Sequence, residues 1–102
     1  MSISQSFMTF AKEAPQQQSA WRELVERMDS ASKLDKKTQA LAYLAVLAAA
    51  RLEGGIPFHV KQAKELGATR DEIISSILVG LPAVGNAVIQ ALPAALSAFD
   101  EE

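Results

Sequence analysis

The chain has 102 residues, 49% of them apolar, and a formal charge of −2 from ten Lys and Arg against twelve Asp and Glu. That composition describes one small ordered domain and excludes a disordered chain. No basic block is longer than Lys36-Lys37, so the phosphate-neutralising patch that nucleic-acid binding requires is missing, and the complete lack of cysteine excludes disulfides, thiolate nucleophiles, Cys-based zinc sites and iron–sulfur clusters.

Ile3, Phe7, Phe10 and Ala14 recur at spacings of four, three and four, which predicts a short amphipathic helix over 3–14. Pro15 interrupts it, because its ring removes a backbone donor and disfavours helix at the residue before. A second helix, about 17–30, sets Trp21, Leu24, Val25 and Met28 on one stripe with Arg22, Glu23, Glu26 and Arg27 away from it. Trp21 is expected to pack in the core. Residues 1–18 lack the basic start and continuous apolar segment of a signal peptide, so the expected location is cytoplasmic.

After a polar link, Asp35 is the expected N-cap of a third helix, about 36–53. Between Thr38 and Ala50 that helix carries no charge and is apolar on every side. Such a helix is wrapped by others, which makes it the central element. Gly54-Gly55 is expected to end it through a left-handed glycine. Pro57 fits the first turn of a fourth helix, which stops at Gly67. Thr69-Arg70-Asp71-Glu72 is a capping box opening a fifth helix, about 70–84, with a bend at Pro82. A sixth, about 86–99, is expected to kink or break at Pro93. No segment alternates as a strand does, so the fold class is all-α: one helical bundle of about six helices.

From Ile73 to Phe99 there are 27 residues without a charge, long enough to cross a bilayer. Ser75, Ser76, Asn86, Gln90 and two prolines interrupt the run, and no basic residue flanks its C-terminal end. The expectation is therefore buried or interfacial helices, no membrane span, and a partner subunit covering apolar surface that a small domain cannot bury alone.

The inventory for chemistry is short. There is no Gly-x-Ser-x-Gly elbow, and Asn86 stands where a phosphate-binding loop beginning at Gly80 requires lysine. His59 is the only histidine, and Ala63 and Lys64 lie four and five residues beyond it, so no helix-borne metal site is expected and no cofactor is implied. The Gly54-Gly55 amides at the start of helix four either cap the preceding helix or face an anionic ligand. His59 near a helix N-terminus is expected to be neutral, which suits a general base but equally suits a structural residue. Lys61 is a candidate anion binder, although a spacing of two points it elsewhere on the helix.

The segment His59-Val60-x-x-Ala63-x-x-x-Gly67-Ala68-Thr69-x-x-Glu72-Ile73, following an Ala-rich helix and a Gly-Gly turn, resembles the AhpD-like superfamily, which unites carboxymuconolactone decarboxylases and alkylhydroperoxidases. The resemblance covers roughly 34–99, leaving 1–33 as N-terminal helices of the same single domain, 1–102. It implies a helical bundle assembled into trimers or hexamers. The peroxidase branch carries Cys-x-x-Cys-x-x-x-His and a relay glutamate one helix earlier; the corresponding positions here are Leu52, Gly55 and Ala40. With no thiol to attack a peroxide or to cycle through a disulfide, cysteine-dependent peroxidase chemistry is excluded. The decarboxylase branch resembles Glu-Phe-x-x-His-x-Arg-x-Ala, where this chain has Gly55, Ile56, His59 and Lys61; lysine keeps the charge and loses the bidentate fork.

Two functions follow from these residues. One is an oligomeric binding or structural module that has lost catalysis and holds a small ligand near Gly54-Gly55. The other is an acid–base enzyme of decarboxylase, isomerase or hydrolase type, with His59 as catalytic residue and Lys61 or a subunit-borne arginine holding a small carboxylate or lactone.

Overall fold

The computed structural model describes residues 4–102, and every regular element among them is helical. The helices are α1 (Gln5–Glu13), α2 (Pro15–Ala31), α3 (Lys36–Ala49), α4 (Ile56–Glu65), α5 (Arg70–Ile77), α6 (Leu81–Val84, a single turn) and α7 (Leu92–Asp100). Short 3-10 turns at Glu53–Gly55, Leu78–Gly80, Gly85–Ala87 and Ile89–Ala91 complete the chain. Ile3, the first residue of the predicted α1 face, lies outside the described residues.

Local chemistry explains most boundaries. Ser4 caps α1 by accepting from the Phe7 amide, and Asp35 caps α3 by accepting from the Thr38 amide at 2.8 Å. The Thr69 hydroxyl accepts from the Glu72 amide while Glu72 accepts from the Thr69 amide, so both halves of the capping box form. All four prolines, Pro15, Pro57, Pro82 and Pro93, stand in the first turn of a helix, where the missing N–H is not needed. Pro82 and Pro93 therefore begin helices instead of bending them. The single segments expected at 70–84 and 86–99 are each divided, because 3-10 turns precede both prolines.

The end of α3 also differs from expectation. It closes at Ala49 through Arg51, whose φ of 63° is left-handed, with the Arg51 amide bonded to the Ala48 carbonyl and the Leu52 amide to the Leu47 carbonyl. That pair of bonds is a Schellman motif with arginine in the place glycine normally takes. Gly55 is right-handed, at φ −89°, and serves as the N-cap residue of α4. The same motif closes α4, there with Gly67 at φ 96°.

Packing contacts join α3 to α4, α4 to α7, α7 to α5 and α5 back to α3, closing a ring of four helices. Inside it lie Leu44, Leu47, Ala48, Ile56, Val60, Ala63, Ile73, Ile77, Ala95 and Ala98, with Val88 and Ala91 from the connecting turns. Alanine on α3, α4 and α7 lets the backbones approach closely, which the larger Leu and Ile side chains then fill. The one buried polar side chain among the described residues, Ser76, donates its hydroxyl to the Leu41 carbonyl and so pins α5 to α3. As expected α3 is central, but its outer side is uncovered: Tyr43 and Val46 are exposed.

The first two helices stand outside this ring. Neither α1 nor α2 contributes a buried residue, and α2 packs on α1. Trp21 is not in the core. It is 42% exposed and leans on Phe7, their ring centroids 5.4 Å apart. Its stripe is amphipathic as read, but within one chain α1 covers it only in part.

No single helix among the described residues is long and apolar enough to cross a membrane. The charge-free stretch is broken, turning by 116° between Arg70–Ala87 and Ile89–Asp100.

Candidate functional site

His59 lies in the first turns of α4, behind Gly55 as N-cap and Pro57. Its ring sits against Tyr43 of α3, with centroids 4.6 Å apart, and edge-on to Phe58 at 5.1 Å. Nδ1 is 3.3 Å from Gln62 Oε1, one helical turn on. With Gln62 as acceptor, Nδ1 carries the proton and Nε2 keeps its lone pair. Burial against the two rings pushes the imidazole below its ordinary value of 6.5, and the Gln62 bond offsets part of that. The arrangement is a half-buried neutral imidazole on an apolar aromatic surface, with Tyr43 and Phe58 partly exposed beside it.

The other expected site residues distribute unevenly. Gly55 does belong with His59: a Cβ placed there would lie 3.8 Å from Leu47 and 3.9 Å from His59 Cδ2. Gly54 faces the start of α1 instead, where a Cβ would meet Ser4 at 3.5 Å. Lys61 points away, its Nζ bonded to the Glu101 carbonyl at 3.0 Å and to the Glu101 carboxylate at 3.3 Å, with the side chain only 17% exposed. That pairing holds the Glu101 carboxyl below its ordinary value. Lys64 donates to the Phe99 carbonyl, so two lysines of α4 bind the orphan carbonyls at the end of α7, where the helix dipole also favours cations.

Sequence reading missed Tyr43, Phe58 and Gln62 as neighbours of His59. Gln62 had a signal, since a spacing of three on a helix brings side chains together. Tyr43 had a weaker one: it is the only tyrosine, and the only polar side chain between Ala40 and Ala50. No group of three or more His, Asp or Glu among the described residues is placed to hold a metal ion.

A second feature lies apart from the histidine. An open groove of about 640 Å³ runs between α3 and α5, walled by Leu41, Ala45, Ser76 and Val79, with Asp71 and Glu72 at one end. His59 and its neighbours do not line it.

The sequence profile of the carboxymuconolactone decarboxylase family matches residues 15–98, most of the chain. The chain belongs to the carboxymuconolactone decarboxylase family. The match takes in α2 as well as nearly all of the four-helix ring. A carboxymuconolactone decarboxylase family protein from Legionella pneumophila, whose crystal structure is of the apo form, is similar in fold: the TM-score is 0.78 at 28% identity, covering 93% of this chain and 85% of that one. No curated protein matches the sequence. Within the family, this chain is a member without cysteine. The positions that the resemblance sets against the peroxidase thiols are an exposed Leu52 and Gly55, and the one it sets against the relay glutamate, Ala40, packs against the core.

Proposed function

We propose that this family member is a non-peroxidatic, homo-oligomeric binding module of the cytoplasm, holding a small apolar or amphipathic molecule against the Tyr43–Phe58–His59 surface. The observation that carries this reading is the environment of His59. Its contacts are two aromatic rings and one amide, the anion-binding candidate Lys61 is committed to the end of α7, and the groups that would make the histidine part of a thiol relay are Leu52, Gly55 and Ala40. An aromatic shelf with one hydrogen-bonding edge recognises a flat or amphipathic ligand more readily than a strongly charged one. The trimers or hexamers implied by the resemblance provide the second wall, since Tyr43, Leu52 and Phe58 are open in a single chain.

One observation favours the alternative of an acid–base enzyme acting on a small carboxylate or lactone. Burial keeps the imidazole neutral, leaving Nε2 as a competent base. A thermal-shift screen of small carboxylates, lactones and aromatic alcohols, run in parallel on the native chain and on His59→Ala, tests both. A ligand that stabilises only the native chain supports the site, and conversion of that ligand by the native chain alone selects the enzyme. A ligand that stabilises both equally removes His59 from the site.

A further inference from the structure

The two most conspicuous unfilled surfaces are an apolar ridge without a groove and an apolar groove without a ridge. The ridge is α2: every residue from Trp21 to Ser30 is exposed, including the stripe Trp21, Leu24, Val25 and Met28. The groove lies between α3 and α5, which run side by side in the same direction, as the Lys37–Glu72 ion pair, the Ser76–Leu41 hydrogen bond and the approach of Gly80 to Ala49 show in turn. We propose that α2 of one chain docks in the α3–α5 groove of a second copy. This rests on the homo-oligomeric reading above and names the interface that builds it.

Dimensions and charge both fit. Trp21 to Met28 is seven residue steps, about 10 Å along a helix, and so is the α3 wall from Thr38 to Ala45. A ridge at spacings of three and four is the shape that seats between two neighbouring helices. Arg22 stands on the shoulder of the stripe beside Trp21 and makes no ion pair among the described residues. At the acidic end of the groove Asp71 likewise makes none, while Glu72 is engaged by Lys37 and Thr69. Arg27, at the other end of the stripe, is already paired with Glu23 at 2.9 Å. Placing Arg22 at Asp71 sets the polarity: Trp21 enters near Thr38, and Met28 lies over Ala45 and Val79.

The chain's own α2 does not fill its own groove. Asp29 accepts from the Gln39 side chain at 2.7 Å, and Trp21 rests on Phe7, which hold the helix beside the ring and not in it. A second copy carries both the same ridge and the same groove, so reciprocal docking buries each once and closes as a two-fold pair, three of which make up a hexamer.

The absence of native cysteine makes the contact directly readable. Met28 and Val79 are 64% and 67% exposed, so each can be changed without disturbing the core. Full-length Met28→Cys chain and isotopically heavy full-length Val79→Cys chain are mixed under reducing conditions, then oxidised, and light scattering is recorded on the unmodified chain. The expected result is an assembly larger than the 10.9 kDa monomer and a disulfide-linked heterodimer as the main oxidised product. Leu24→Asp is expected to return the assembly to monomer mass with helical circular dichroism unchanged. An assembly that gives only homodimeric disulfides, or none, overturns the docking while leaving the oligomeric reading intact, and frees the groove for a different occupant. A native chain that stays monomeric at micromolar concentration overturns both.

Discussion

The Tyr43 and His59 rings meet at 4.6 Å between centroids, tilted by 55°, across the contact of α3 with α4. This pairing couples the histidine's charge to the packing of two core helices, because an imidazolium on that surface loses hydration that the rings do not replace.

The single histidine will therefore titrate below 6.5, and Tyr43→Ala will move its midpoint back toward that value; the imidazole carbon-bound proton signals report it without ambiguity. The sign for stability follows from the direction of the shift. The unfolded chain binds this proton more readily, so the contribution of His59 is fully present above about 6.5 and is lost as pH falls from there to the folded midpoint. Thermal melts between pH 5.5 and 7.5 should show that slope, and His59→Gln should flatten it. A second decline belongs to lower pH. There Asp35, bonded to Thr38, Glu72, bonded to Thr69, and Asp100, bonded to Arg70, are held below their ordinary values and must be protonated.

Arg51→Gly will stabilise the domain. A non-glycine residue in the left-handed region carries about 1–2 kcal/mol of strain, and the extra freedom of glycine in the unfolded chain returns about 0.4–1, leaving a net gain of roughly 1 kcal/mol. Gly67→Ala should lose a similar amount by the same arithmetic reversed, with no clash involved, since a Cβ there has nothing within 4 Å. Urea denaturation of the two variants, with the slopes compared, measures both.

Ile73→Ala should cost about 2–5 kcal/mol, because Ile73 is fully buried inside the four-helix ring. Trp21→Ala, although it removes a larger side chain, should cost under about 1 kcal/mol in dilute monomer and show its main effect on assembly mass. Equal losses for the two in monomeric protein would mean that α2 belongs to the core after all.

Lys61→Met should loosen the end of α7 without reaching the histidine. Faster amide exchange near residues 98–101, with the His59 signals unmoved, is the expected pattern, because Lys61 binds the Glu101 carbonyl and carboxylate. A shift of the His59 midpoint in this variant would reinstate Lys61 as part of that site.

Much of this fold is legible in the sequence because it is written in short-range chemistry. Asp35, the Thr69–Glu72 box and Gly67 mark helix ends through bonds that span three or four residues, and Pro57 marks a start; Pro82 and Pro93 read as bends within helices, although each opens a new one. The class and the centrality of α3 follow from composition and period alone. Trp21 failed for a different reason: an amphipathic stripe states that a face will be covered, and not by which chain. Arg51 failed because two glycines downstream offered a cheaper left-handed residue than the one the helix used, and the buried positions of Leu44, Leu47 and Ala48 fixed where α3 had to stop. At the site, Gln62 was readable from its spacing to His59. The Tyr43 contact depends on how α3 crosses α4, which no local pattern encodes.

Gly55 carries a last consequence. Its backbone is right-handed, at φ −89° and ψ −11°, and an added Cβ would make ordinary contacts, so nothing in its geometry demands glycine. Gly55→Ala should stabilise the domain by about 0.4–1 kcal/mol, by restricting the unfolded chain. Position 55, directly beside the imidazole, has room for a Cβ at ordinary contact distance and so can receive a side chain without refolding its surroundings. A single substitution there changes which functional group faces His59, and that makes this turn the cheapest place in the molecule to gain, lose or redesign reactivity.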